Sequence, residues 1–120
     1  MRKILVIDDD ESIRMLLYRF LTEEGYEVSM AANGQDGHAQ HQSNQFDLVI
    51  TDLFMPGKDG LEFIQEVKAE HPDVRIIAIS GGGRMKDRDL LKVSKALGAD
   101  HVLQKPFNPF DLMAVIETLF

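Results

Sequence analysis

The sequence contains no cysteine and no tryptophan among its 120 residues. Without thiols the chain can form neither disulfide bonds nor thiolate metal sites, and such a composition fits a reducing compartment. It also lacks an apolar run approaching the roughly 20 residues of a membrane-spanning helix, and its amino terminus turns acidic where a signal peptide would stay apolar. We therefore expect one cytoplasmic domain, residues 1–120, without membrane contact.

Positive charge is scarce as well. The 13 Lys and Arg residues are outnumbered by 20 Asp and Glu residues, which gives a net charge of −7. This balance argues against unspecific binding to nucleic acid, and it suits a protein that holds a hard cation. A chain of this length with 44% apolar residues can bury a sizeable core.

Short apolar runs alternate with segments of helical periodicity along the chain. Strands are predicted at 3–7, 26–30, 46–51, 74–79 and 101–104, and helices at 11–21, 34–45, 61–67, 90–97 and 109–119. The second helix is the least legible, because Ala39 is its only clearly apolar residue. The alternation predicts an α/β fold, a doubly wound five-stranded parallel sheet with helices on both faces.

The segment FDLVITDLFMPGKDG at 46–60 is the centre of this pattern. Its apolar run predicts a strand that is buried on both faces, and Asp52 ends this strand before proline and glycine turn the chain into a loop. Ligands of open α/β sheets bind at the carboxyl ends of the strands. Asp52 is therefore a candidate site residue, although an aspartate that merely caps the loop fits its position equally well.

Other strand ends bring polar groups to the same edge of the sheet, since Asp8 and Asp9 follow the first strand, Ser80 the fourth and Lys105 the fifth. Clustered carboxylates raise one another's pKa unless a cation intervenes. Oxygen ligands favour Mg²⁺, Mn²⁺ or Ca²⁺, and a phosphate in the shell favours Mg²⁺. A carboxylate with a metal ion, an ammonium group and a hydroxyl group nearby is equipped for phosphoryl transfer to Asp52.

Four fragments at these positions resemble the receiver domain of two-component response regulators, in order and over essentially the whole chain. They are VIDD at 6–9, TDLFMPGKDG at 51–60, AISGG at 78–82 and GADHVLQKPF at 98–107. The resemblance, which extends to stand-alone regulators of the chemotaxis type, implies a flavodoxin-like sheet of order 2-1-3-4-5. It also implies a phosphorylation-dependent switch of a two-component or phosphorelay system. Such a switch is not an enzyme in the usual sense, but it catalyses its own phosphorylation and slow dephosphorylation.

The resemblance assigns roles to individual residues. Asp52 would accept the phosphoryl group from a phosphohistidine, and Ser80 and Lys105 would contact that group. The peptide bond between Lys105 and Pro106 is expected to be cis. The Mg²⁺ cofactor would be held by four groups: Asp8 through water, Asp9, Asp52 and the main-chain carbonyl of Phe54.

The expected phosphoryl donor is a sensor histidine kinase or a phosphotransfer protein. No output domain is recognisable in these 120 residues, so, unless one follows Phe120, we expect the signal to pass by contact with another protein, without direct binding to nucleic acid. Receivers dock partners on the surface of the fourth helix, the fifth strand and the fifth helix. Basic residues concentrate around the fourth helix: Arg84, Lys86, Arg88, Lys92 and Lys95. We hypothesise that this basic face meets an acidic partner, whereas a merely solvated face is the usual alternative.

One position departs from the receiver pattern. Val102 stands three residues before Lys105, where receivers usually carry the tyrosine or phenylalanine that swings inward on activation. His101 should face the other side of its strand and so should not replace that ring. The glycine-rich loop at 81–83 is then the natural element to move on phosphorylation.

Several residues have simpler interpretations than a functional one. Asp10 is expected to start the first helix rather than to bind a metal. Phe107 and Phe110 are expected to lie in the core. His38 and His41 are expected to form a solvated pair on one turn of the second helix.

Two other functions fit parts of the pattern. The acidic loop at 8–10 with Ser12 resembles the nucleophile loop of haloacid-dehalogenase-type phosphatases, but that family needs an acidic pair after the lysine, where only Asp111 and Glu117 remain. Flavodoxins share the topology, but an acidic first loop would repel the phosphate of their flavin. Turnover of phosphomonoesters would favour the first function, and a coloured protein the second.

Overall fold

The computed structural model describes residues 2–53, 60–80, 92, 95–96 and 98–120 of the chain. Its strands are β1 (Lys3–Ile7), β2 (Glu27–Ala31), β3 (Leu48–Asp52), β4 (Arg75–Ser80) and β5 (His101–Gln104). Its helices are α1 (Glu11–Glu23), α2 (Gly34–Ser43), α3 (Gly60–Glu70) and the C-terminal helix (Pro109–Leu119). Within the described ranges, no helix has both the length and the apolar character needed to cross a membrane.

The five strands form one parallel sheet in the order β2-β1-β3-β4-β5, which confirms the expected fold class and strand order. Every strand ends within one residue of its predicted end. In the predicted fourth helix, Lys92, Lys95 and Ala96 are helical, and the remainder lies outside the described residues. The carboxyl ends of the strands therefore share one edge of the sheet, as the site prediction requires.

The sheet separates two apolar layers. Because neighbouring residues of a strand face opposite sides, β1 contributes Leu5 and Ile7 to one layer and Ile4 and Val6 to the other. Buried side chains of the helices complete the layers: Phe63, Ile64 and Val67 of α3 on the first, and Leu17, Leu21, Leu112 and Ile116 of α1 and the C-terminal helix on the second. Because apolar side chains pack on both faces of the sheet, the strands and the polar residues at their ends are held in place.

The helix that was least legible in the sequence, α2, forms through its cap and its close packing. The Asn33 side chain accepts a hydrogen bond from the main-chain N–H of Asp36 at 2.8 Å and so caps the helix. A Cβ atom on Gly37 would lie 2.4 Å from Cδ1 of Ile7. The helix therefore approaches β1 with a residue that has no side chain, which explains its weak apolar periodicity.

The prediction of a solvated histidine pair was wrong. His41 is fully buried, its Nδ1 accepts a hydrogen bond from the main-chain N–H of Phe46 at 3.3 Å, and its ring lies 4.6 Å from that of His71. His38 faces Glu70 of α3 instead, with its Nε2 3.1 Å from that carboxylate. The two imidazoles therefore have different environments, because the small contact surface of Gly37 brings α2 close enough to bury one of them.

Phe110 also differs from its prediction, since it is 77% exposed. Its ring meets that of Phe20 edge-on at 5.9 Å, whereas Phe107 is half-buried and packs in the second layer. Only Phe107 therefore joins the core. Asn108 caps the C-terminal helix, and Phe110 lies exposed in the first turn of that helix.

The stability of the protein should depend on the protonation of His41. Burial lowers its pKa below the ordinary 6.5, and repulsion from His71 and His38 lowers it further, against a smaller opposing attraction to Glu70. The unfolded chain would therefore bind this proton more readily than the folded protein. Stability should then fall as the pH drops below about 6.5, and should level off once the folded protein also binds the proton.

We predict that urea unfolding will show a loss of about 1 kcal/mol between roughly pH 7.5 and pH 5.5. His41→Asn, which keeps an acceptor near the Phe46 N–H, should remove most of this loss. Gln35→Ala, an exposed change on the same helix that removes no imidazole, should keep it. An equal pH dependence in the wild type and in His41→Asn would contradict the prediction.

Candidate functional site

Asp52 is the last residue of β3, which lies between β1 and β4 in the sheet. All five residues of this strand are buried, and Asp52 is 5% exposed. The burial arises because both apolar layers cover β3. A carboxylate at such a position requires a positive partner.

Lys105, which follows β5, provides positive charge to two carboxylates. Its Nζ lies 3.2 Å from Oδ2 of Asp52 and 3.3 Å from Oδ2 of Asp8. Burial lowers the pKa of Lys105, but attraction to Asp52 and Asp8 outweighs burial, so that the pKa is raised overall. The ammonium group therefore stays charged at the centre of the site.

The three predicted carboxylates form a cluster. Asp8, Asp9 and Asp52 each offer an oxygen atom that lies within 4.8 Å of the other two. Asp8 is fully buried and Asp9 is exposed. Burial raises the pKa of Asp8 and repulsion from Asp52 adds to this, while the N–H of Asp10 and the charge of Lys105 oppose it. The net shift of the pKa is upward, because burial and repulsion together outweigh the opposing contacts.

The donor set fits a hard divalent cation. Oδ2 of Asp8 has no hydrogen-bond partner among the described residues, because its contact with Lys105 is an ion pair without hydrogen-bond geometry. Lys105 balances one of the three carboxylate charges, which leaves two. Carboxylate oxygens of this number and charge match the ligand preference of Mg²⁺. The carbonyl of Phe54, expected as a further ligand, lies outside the described residues.

The turn between β1 and α1 positions two members of the cluster. Asp10 caps α1 by accepting a hydrogen bond from the N–H of Ser12 at 2.8 Å, which confirms its interpretation as a helix-start residue. The N–H of Asp10 in turn donates to Oδ1 of Asp8 at 2.9 Å. A contact that the sequence analysis missed comes from Arg14, whose Nη1 donates to the main-chain carbonyl of Asp8 at 2.7 Å.

Ser80 is the buried last residue of β4. Its carbonyl accepts a hydrogen bond from the N–H of Lys105 at 2.8 Å, which joins the ends of β4 and β5. The structure thus brings Ser80 and Lys105 to the edge of the sheet where Asp52 lies. The loop at 81–83, expected to move, lies outside the described residues.

Val102 is half-buried and packs against the first layer, whereas Leu103 packs against the second. Alternation along β5 places His101 on the side of Leu103. His101 is therefore on the opposite side from Val102, as expected. The imidazole of His101 therefore does not take the position that the side chain of Val102 occupies, where receivers usually carry an aromatic ring.

A close approach of α3 also shapes the site. A Cβ atom on Gly60 would lie 2.2 Å from the main-chain oxygen of Asp52 and 2.7 Å from Cα of Leu53. The N–H of Gly60 donates to the carbonyl of Leu53 at 3.1 Å. Only a residue without a side chain allows α3 to begin directly against the end of β3.

The acidic pair required by the phosphatase alternative is not available at Asp111. Its carboxylate accepts a hydrogen bond from the N–H of Asn108 at 3.4 Å, and its own N–H donates to the side-chain oxygen of Asn108 at 2.9 Å. It thus completes the capping box of the C-terminal helix.

Comparison with known proteins gives a consistent result. The family described as response regulator receiver domain matches residues 4–117. The chain is 40% identical over 118 residues to the probable transcriptional regulator ycf27 of Cyanophora paradoxa, and 34% identical over 117 residues to the transcriptional regulatory protein RprY of Bacteroides fragilis. Both alignments cover 98% of this chain and 48% of the relative, so the chain spans about half the length of these relatives.

Solved structures agree. The chemotaxis protein CheY4 of Vibrio cholerae is similar with a TM-score of 0.89 and 33% identity, over 100% of this chain and 99% of that one. The chain therefore belongs to the response regulator receiver domain family of two-component systems. Members of this family act in phosphorylation-dependent signalling and generally bind Mg²⁺ at an acidic pocket, and they are not classical enzymes. The family expected from the four sequence fragments is confirmed.

The raised pKa of Asp8 leads to a prediction about stability. The folded protein holds a proton on Asp8 more tightly than the unfolded chain does, so the ionised carboxylate costs stability at neutral pH. Asp8→Asn should therefore increase the free energy of unfolding at pH 7 by about 1 kcal/mol in EDTA. The measurement is urea unfolding.

Asp9→Asn is the matched control, because Asp9 belongs to the same cluster but is exposed. Its effect should be smaller than that of Asp8→Asn. A clear loss of stability in Asp8→Asn would instead mean that attraction to Lys105 outweighs the cost of burial.

Proposed function

We propose that this chain is a phosphorylation-dependent signalling switch in which Asp52 accepts a phosphoryl group from a phosphohistidine donor. An oxygen atom of Asp52 attacks the phosphorus atom, and the new O–P bond forms as the P–N bond of the donor breaks. The imidazole of the donor leaves with the bonding electron pair. The observation that carries this proposal is the position of Lys105, whose Nζ lies 3.2 Å from Oδ2 of Asp52.

Each nearby group has a part in this reaction. Lys105 balances the negative charge that the phosphoryl oxygens bring to Asp52, and Ser80 donates its hydroxyl to one of those oxygens. Asp8, Asp9 and Asp52 would hold Mg²⁺, with Asp8 acting through water. When bound, Mg²⁺ supplies positive charge that stabilises the transferred group. The same site would catalyse the slow dephosphorylation.

The donor would be a sensor histidine kinase or a phosphotransfer protein, and a cytoplasmic location suits both. Phosphorylation replaces one negative charge at Asp52 with nearly two. Lys105 would be drawn toward the new oxygens, and the change would spread along β5. Val102 offers no ring to report it, so the readout would depend on the surrounding backbone and on the surface that partners contact.

Mass spectrometry after incubation with acetyl phosphate and Mg²⁺ tests the acceptor. We expect a gain of about 80 Da, the mass of one phosphoryl group, and we expect EDTA or Asp52→Asn to abolish it. Asp47→Asn is the control, because this carboxylate lies just before the opposite end of β3 and accepts a hydrogen bond from the N–H of Lys3. It should leave the gain unchanged.

An adduct that persists in Asp52→Asn would contradict the assignment. Absence of any adduct would leave fast hydrolysis as one explanation and a receiver that signals without phosphate as the other. A titration with beryllofluoride, a stable mimic of the phosphoryl group, separates them. Saturable binding in the wild type, absent in Asp52→Asn, would indicate fast hydrolysis.

We further propose that the basic face around the fourth predicted helix contacts an acidic downstream partner. Lys92 and Lys95 are helical and exposed. Reversing both charges, Lys92→Glu with Lys95→Glu, should weaken the complex with that partner by about tenfold or more and should leave labelling by acetyl phosphate unchanged. Arg19→Glu, an exposed change on α1, is the control, and unchanged affinity in the double variant would contradict the proposal.

A further inference from the structure

Arg14 occupies an unfavourable position for a cation. It is the fourth residue of α1, and the positive end of the helix dipole repels positive charge in the first turn. The half-buried side chain nevertheless turns back toward the preceding loop, where its Nη1 donates to the main-chain carbonyl of Asp8 at 2.7 Å. A charged donor at this distance makes a strong hydrogen bond.

This hydrogen bond completes a set of contacts around Asp8. The main-chain N–H of Asp8 donates to the carbonyl of Ala31 at 3.2 Å, and its Oδ1 accepts from the N–H of Asp10 at 2.9 Å. The third polar group of Asp8 is its main-chain carbonyl, which belongs to the peptide bond with Asp9 and accepts the hydrogen bond from Arg14. Arg14 thus fixes the peptide between Asp8 and Asp9 through its oxygen atom.

That peptide connects the two carboxylates that the first loop contributes to the acidic cluster. Rotation of the peptide would move Asp9, whose exposed side chain has less packing to hold it than buried Asp8. Repulsion within the cluster favours such a movement, because it separates like charges. A group that fixes this peptide therefore keeps the cluster assembled before a cation arrives.

We propose that Arg14 is a positioning residue that sets the affinity of the acidic cluster for Mg²⁺ by holding the peptide between Asp8 and Asp9. The inference rests on the proposed Mg²⁺ site. Arg14 is not one of the proposed Mg²⁺ ligands, and its effect passes through the carbonyl of Asp8. Partners of this kind typically change metal affinity by about 10-fold to 100-fold when they are removed.

The test is a Mg²⁺ titration of the unphosphorylated protein, followed by NMR chemical shifts. Arg14→Met keeps the packing of the side-chain stem and removes the donor, and it should weaken binding by about tenfold or more. Arg14→Lys, which retains one donor, should recover most of the affinity. Arg19→Met, an exposed change on the same helix, should bind as the wild type does.

Labelling by acetyl phosphate provides a second readout. If Arg14 acts on metal affinity, the rate in Arg14→Met should be low at limiting Mg²⁺ and should approach the wild-type rate at saturating Mg²⁺. Wild-type affinity in folded Arg14→Met would overturn the inference, and so would a deficit that saturating Mg²⁺ does not relieve. Should Arg14→Met not fold, Arg14→Ala, which also lacks a donor and favours the helix, decides by the same comparison.

The outcome also separates this inference from the proposed function. A wild-type protein that shows no saturable Mg²⁺ binding and no Mg²⁺-dependent adduct would refute the proposed function itself. A wild-type protein that binds Mg²⁺ and is labelled on Asp52, together with an Arg14→Met variant of equal affinity, would refute only the role of Arg14.

Discussion

Repulsion among the carboxylates of Asp8, Asp9 and Asp52 is the constraint on which the rest of the site depends. Three such groups with oxygen atoms within 4.8 Å of one another do not stay together by themselves. Lys105 offsets part of the repulsion through its contacts with Asp52 and Asp8, and the apolar layers on both faces of the sheet supply the remaining restraint. The site is thus kept in an unfavourable electrostatic state by packing elsewhere, as is common at functional sites.

The topology explains how distant parts of the sequence meet at this site. β1 and β3 are adjacent, and β4 and β5 follow in order on the other side of β3. The carboxylates come from the first pair of strands, and the hydroxyl and ammonium groups come from the second. The hydrogen bond between the N–H of Lys105 and the carbonyl of Ser80 joins the ends of β4 and β5. Because β1 and β5 lie on opposite sides of β3, the carboxylates of the first loop and the ammonium group of Lys105 approach Asp52 from opposite sides.

The sequence was sufficient for the strands, the fold class and the meeting of Asp8, Asp9, Asp52 and Lys105, because each depends on local apolar runs and on the strand ends that follow them. It was insufficient for α2, where Asn33 and Gly37 act through a cap and a close contact rather than through apolar periodicity. His41 was misjudged for the same reason, since its burial is set by tertiary packing. Arg14 gave only an indirect signal, a cation in the first turn of a helix, and its acceptor is a main-chain group that no side-chain pattern reveals.

The missing side chain of Gly60 has a mechanical consequence for any signal that starts at Asp52. The end of β3 and the start of α3 are in direct main-chain contact, because the N–H of Gly60 donates to the carbonyl of Leu53. Asp52 and α3 should behave as a single stiff unit during signalling. We expect displacement to be taken up instead at the end of β5, where Lys105 reaches Asp52 and Asp8 through its flexible side chain.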